Sequence, residues 1–142
     1  MGKTFNNNLV VRFDGISENE GLARVIVASF ATSLDPTLEE IADIKTAVSE
    51  AVTNCIVHGY ADSEGMIEMK LQIKGRELYI EIADEGCGIE DVLKAKEPLY
   101  TTKPDEERCG MGFIFMEIFM DEVFVESEVN RGTVVKMKKI IG

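Results

Sequence analysis

Met66 to Ile73 and Leu78 to Ala83 each alternate apolar and polar residues, and Lys74-Gly75-Arg76 separates them. Alternation at period two sends every second side chain to one face, so the pair reads as an antiparallel hairpin turning at glycine. A sheet that is apolar on one face needs a covering layer. One stands upstream, where Ile41, Ile44, Val48, Ala51, Val52 and Cys55 form an apolar stripe at helical spacing. Asp35-Pro36 breaks the chain before it, and Thr37-Leu38-Glu39-Glu40 has the spacing of a capping box. This helix is expected to run to His58 or Gly59, where glycine suits a C-terminal cap.

The remaining elements extend the same plan. Leu9 to Phe13 reads as a first strand, and Ser17-Glu18-Asn19-Glu20 as a second capping box. The helix it opens spans about 18 to 33, with Leu22, Val25, Ile26, Ser29 and Phe30 on one side. Met111 to Met120 is predicted helical, and Val123 to Val129 with Thr133 to Lys139 form another hairpin around Asn130-Arg131-Gly132. The order gives an α+β sandwich, helices over one face of a largely antiparallel sheet, and its 142 residues suit one domain, 1–142. Glu90 to Gly110 is long for a structureless connection, as binding loops and lids are.

Charge restricts the partners. With 15 basic and 26 acidic residues the net charge is -11, which argues against direct binding of nucleic acid, where affinity comes from clustered Lys and Arg. Any polyanion would have to be held by a few placed cations, backbone N–H groups or a metal ion. No apolar run approaches the ~18 residues of a membrane span, and the first nine residues lack a signal-peptide core. The three cysteines, Cys55, Cys87 and Cys109, show no CxxC spacing, so neither a disulfide framework nor a zinc site is expected. A reduced, cytoplasmic protein is the expectation.

Three motifs carry possible chemistry. Glu50, Asn54 and His58 form one row along the second helix. At about 100° per residue the row begins about 160° from Val48, off the core-facing stripe, where a solvated polar face is the alternative. Asp84-Glu85-Gly86-Cys87-Gly88 ends a strand, which suits a ligand-binding carboxylate with close backbone approach, or a plain turn. Gly110-Met111-Gly112-Phe113 opens a helix whose free N–H groups suit an anion, with Lys103 and Arg108 upstream. Each is weak alone; their joint order is specific.

In that order the motifs resemble the GHKL (gyrase, Hsp90, histidine kinase, MutL) ATP-binding family, with Glu50 to Asn54 as its N box and the glycine motifs as its G boxes. Glu50-Ala51-Val52-Thr53-Asn54 with His58-Gly59-Tyr60, Pro98-Leu99-Tyr100-Thr101-Thr102-Lys103-Pro104 and Met120-Asp121-Glu122-Val123 are similar to the anti-sigma serine kinases of endospore formers within it. The similarity extends over essentially the whole chain. It implies a GHKL (Bergerat) fold with a mixed, largely antiparallel sheet and an ATP lid, and ATP and Mg²⁺ as ligands. Asn54 would bind Mg²⁺, Glu50 would be the general base, and Asp84 would accept from the adenine amino group. Gly86, Gly88, Thr101, Thr102, Arg108, Gly110, Met111, Gly112, Phe113 and Thr133 would complete the nucleotide site. Arg24 would contact the partners, a sigma factor (sigma F type) and an anti-anti-sigma protein phosphorylated on serine.

A homodimer is implied as well. A stress-response switch kinase, or a sigma-sequestering module without phosphoryl transfer, are the alternatives; a carboxylate one turn from the Mg²⁺ ligand argues against the latter. Cys87 and Cys109 stand where the family carries small aliphatic or hydroxyl residues, and either fill those volumes or make the pocket redox-sensitive. His58 reads as structural, since no helix pair presents it as a phospho-acceptor. P-loop and protein-kinase signatures are absent from the sequence.

Overall fold

The central hairpin forms as two strands, Met66–Lys74 and Glu77–Asp84, and Gly75 at its turn has φ of 62°, where a side chain would be strained. The computed structural model describes residues 6–56, 65–84, 112–128 and 132–142. In chain order its elements are β1 (Asn6–Asp14), α1 (Glu18–Ala31), α2 (Leu38–Asn54), β2 (Met66–Lys74), β3 (Glu77–Asp84), α3 (Gly112–Phe119), β4 (Glu122–Glu128) and β5 (Gly132–Ile140). The strands form a five-stranded sheet in the order β1-β2-β3-β5-β4. Every pairing among the described residues is antiparallel, so the sheet there is not mixed.

The two faces differ as alternation requires. Ile67, Met69, Leu71 and Ile73 of β2 and Leu78, Ile80 and Ile82 of β3 are buried. They join Ile44, Ala47, Val48, Ala51 and Val52 of α2 in one core cluster, so the stripe covers the sheet as its spacing predicts. On the other face Glu68 reaches Arg12 at 2.8 Å and Lys70 at 3.6 Å, and Lys138 reaches Glu77 at 3.0 Å and Glu122 at 3.2 Å. Exposed pairs of this kind contribute little stability, but they keep that face wet.

α2 starts as expected: the Glu40 N–H donates to Thr37 Oγ1 at 3.0 Å and the Thr37 N–H to Glu40 Oε1 at 2.8 Å. The first capping box does not form. Ser17 is already in the right-handed helical region and makes no side-chain cap. Glu20 turns instead to α2, accepting from the Ser49 hydroxyl and pairing with Arg24 at 3.7 Å.

The buried side of α1 also differs from the expected one. Ala23, Val27 and Ala31 are buried and Ile26 and Phe30 partly so, whereas Leu22 and Val25 are exposed. α1 packs on α2, and close approach of two helices selects the small side chains over the larger apolar ones. The helix ends at Ala31, a single 3-10 turn (Thr32–Leu34) follows, and Asp35 with φ of 52° closes it in the left-handed region before Pro36. α3 packs on the other flank of α2 through Met116 and Met120, its Phe115 and Phe119 rings stacked with centroids 6.3 Å apart.

Candidate functional site

Burying a polar side chain costs free energy unless a partner or ligand offsets it. Among the described residues the buried polar or charged side chains are Asn54, Asp84 and Thr133. All three are predicted site residues, and the topology gathers them at one end of the sheet. Asp84 is the last residue of β3, and Thr133 lies directly opposite it on β5. Asn54 ends α2, and the next residue, Cys55, lies close enough to Asp84 for its thiol to feel the carboxylate charge.

α2 places Glu50 one turn before Asn54, partly buried. At Glu50 and Asn54 the row is therefore not a solvated polar face. Asn54 is 8% exposed and its Nδ2 has no hydrogen-bond partner. A buried, unpartnered amide in a folded core is rare and fits a place that a ligand completes. The amide oxygen of Asn54 is a hard donor suited to Mg²⁺, which takes its other ligands from phosphate and water rather than from a protein cage. Among the described residues no group of three His, Cys, Asp or Glu side chains is set to hold a metal.

Cys55 lies on the stripe expected for it and is 3% exposed. Burial, and then the neighbouring Asp84 carboxylate, push its thiol well above the ordinary range, so it stays protonated and is not a nucleophile. Its nearness to Asp84 is a feature that the sequence reading left as plain core. The available signal was its position directly after Asn54, turned about 100° toward the sheet.

Gly132, with φ of 111°, opens β5 in a backbone region that favours glycine and delivers Thr133 into the site. Gly112 begins α3, and Phe113 follows it. Arg24 lies on α1, paired with Glu20, which also accepts from the Ser49 hydroxyl next to Glu50. Gly86, Gly88, Thr101, Thr102, Arg108, Gly110 and Met111 lie outside the described residues, as do the lid, His58, Cys87 and Cys109.

A five-stranded antiparallel sheet under helices, with an asparagine ending one helix and an aspartate ending a strand, defines a class of ATP-binding domain. The family model of the histidine kinase-like ATPase domain matches residues 17–139, and the chain belongs to that family. ATP binding goes with the family. Within it the chain is 56% identical over 138 residues to the anti-sigma F factor of Thermoanaerobacter sp. (strain X514), covering 97% of this chain and 96% of that one. It is 59% identical over 133 residues to the anti-sigma F factor of Clostridium acetobutylicum, covering 94% and 93%.

Solved structures agree on the fold. The RsbU and RsbW domains of a Mycobacterium tuberculosis protein match with a TM-score of 0.69 at 20% identity, over 95% of this chain and 32% of that one. The catalytic domain of histidine kinase ThkA matches with a TM-score of 0.58 at 16% identity, over 94% and 96%. Among the described residues no helix is long and apolar enough to cross a membrane.

Proposed function

We propose that this chain is an ATP-dependent anti-sigma factor and protein-serine kinase: it sequesters a sporulation sigma factor and phosphorylates an anti-anti-sigma protein on serine. The observation that carries this is Glu50 one helical turn before the buried Asn54, a carboxylate where a nucleotide-holding site alone needs none. The name of the close relatives, anti-sigma F factor, supplies the partner class.

In this reading Asn54 would hold Mg²⁺ through its amide oxygen, and the ion would supply the neutralisation of phosphate charge that an acidic protein lacks. Glu50 accepts the proton of the serine hydroxyl as that oxygen bonds phosphorus and ADP departs. Asp84 accepts from the adenine amino group and Thr133 lies beside the ring. Gly86, Gly88, Thr101, Thr102, Arg108, Gly110, Met111, Gly112 and Phe113 complete the nucleotide site and its lid. Arg24 faces the protein partners, and the working unit is a cytoplasmic homodimer made of single-domain chains.

The test is to incubate the chain with labelled ATP, Mg²⁺ and the candidate anti-anti-sigma protein and assay for phosphoserine. Glu50→Gln is expected to keep ATP and sigma binding and to lose phosphorylation by about a hundredfold or more, the usual share of a general base. Full kinase activity in that variant removes Glu50 as the base. Absence of phosphoserine with the wild-type chain, with sigma binding intact, leaves the binding module as the function.

A further inference from the structure

An arginine that faces solvent spreads over many rotamers, and ordering it on binding costs free energy unless the free protein already holds it. Arg24 on α1 is held from its inner side. The side chain is 43% exposed, yet Nε is buried without a hydrogen bond, so the exposure lies in the rest of the side chain. The guanidinium leans back along the helix: a side-chain carbon placed on Gly21 would stand 3.7 Å from Nη2. Helical side chains tilt this way, toward the N-terminus, which brings Arg24 onto Glu20 one turn earlier. Glu20 Oε1 stands 3.7 Å from the buried Nε. The same oxygen accepts from the Ser49 hydroxyl of α2, so the carboxylate is anchored across the α1–α2 interface. An ion pair at this separation contributes little to stability, and what it supplies is orientation.

We infer that Glu20, anchored by the Ser49 hydroxyl, is a positioning residue for Arg24: it holds the guanidinium in the orientation in which a protein partner meets it. This rests on the proposed partner-facing role of Arg24. Glu20 and Ser49 act through Arg24 and not by contact with the partner.

The experiment measures calorimetric affinity of the full chain for the candidate anti-anti-sigma protein, and KM and kcat for its phosphorylation. The chains compared are the wild type, Arg24→Ala, Glu20→Ala, Ser49→Ala, Ser49→Thr and the Glu20→Ala/Arg24→Ala double variant. Arg24→Ala is expected to weaken binding about a hundredfold, as loss of an anchoring interface arginine does. Glu20→Ala should weaken it about tenfold and Ser49→Ala about threefold, raising KM with kcat held. Ser49→Thr, which keeps the hydroxyl, should stay within about twofold of the wild type. In the Arg24→Ala background, removing Glu20 is expected to change affinity no further. Mg·ATP affinity and urea unfolding of each variant separate lost positioning from a general loosening of α1 on α2, which would lower both.

Wild-type partner affinity in Glu20→Ala, no rescue by threonine at Ser49, or a further loss in the double variant each overturns the inference. Tighter binding in Glu20→Ala overturns it too, because Glu20 would then mask Arg24. So does a fall in kcat or ATP affinity that matches the fall in partner affinity. If Arg24→Ala loses the partner while Glu20→Ala does not, only the role of Glu20 falls. If Arg24→Ala binds normally, the partner-facing role of Arg24 falls and the inference falls with it.

Discussion

Glu40 shows how much one side chain can join at the residue scale. Its carboxylate takes the N–H of Thr37 at 2.8 Å and that of Gly142 at 3.1 Å, which ties the start of α2 to the strand-end segment after β5. These two backbone donors, Thr37 first, hold its carboxyl below the ordinary value of 4.5. A carboxyl lowered by folding stabilises the native state above its unfolded pKa, and the contribution is lost as pH falls through the folded pKa. Glu40→Gln is therefore expected to be less stable than the wild type near neutrality, with the difference shrinking below about pH 4 in urea unfolding series. Thr37→Ala removes the reciprocal bond and should cost about 1 kcal/mol at pH 7. A capping box was legible here because Pro36 breaks the preceding helix and Thr37, with backbone in the extended region, is the first hydroxyl after it. It failed at Ser17 because Glu20 had a better use, on Ser49 of the next helix. Local spacing alone does not reveal such a long-range competitor. The same limit hid the nearness of Cys55 to Asp84, since a thiol on an apolar stripe reads as a small hydrophobe.

At the scale of elements, the strands and α2 were legible because their periodicities are unambiguous, and the site residues followed from where those elements end. β3 ends at Asp84, one residue past its expected end. The spacing of Glu50 and Asn54 placed both on α2, although that helix was expected to run on to His58 or Gly59 and α2 spans Leu38–Asn54. α1 was not legible in its orientation. Leu22 and Val25 outrank Ala23 and Ala31 in hydropathy, yet the helix packs its small side on α2. What joins the elements at the opposite end of the sheet is Arg76, in the β2–β3 turn. Its Nη2 donates to the Leu34 carbonyl at 2.7 Å and its Nε to the Ile141 carbonyl at 2.9 Å. One guanidinium thereby ties the turn, the 3-10 segment before α2 and the chain after β5. Arg76→Ala is expected to lower stability by about 1–3 kcal/mol, as charged donors to partly buried carbonyls do, without altering ATP affinity. Chemical denaturation with parallel nucleotide titration checks both halves; a fall in affinity equal to the fall in stability would show that this end is coupled to the site.

For the whole molecule, the net charge of -11 opposes the nucleotide that the family binds, so the favourable contacts must be concentrated at few points. In the proposed reading Asn54 and Asp84 are two such points, buried at the ends of different elements of the fold. A ligand that engages both bonds only the folded chain, because unfolding separates them. Mass action then predicts stabilisation by about 2.7 kcal/mol at a hundredfold excess over Kd, equivalent to about 5–10 °C in Tm for a chain of this size. Thermal unfolding with Mg·ATP should show that shift in the wild type. Asp84→Asn should lose most of it through the base. Asn54→Ala should lose it through the phosphates, to an extent that chelation of Mg²⁺ reproduces in the wild type but does not add to in the variant. An equal further loss on chelation in Asn54→Ala would mean that the ion is held elsewhere. The expected non-additivity is specific to a shared ligand: two sites that merely stabilised the fold would lower the unliganded Tm and leave the ATP-induced increment intact.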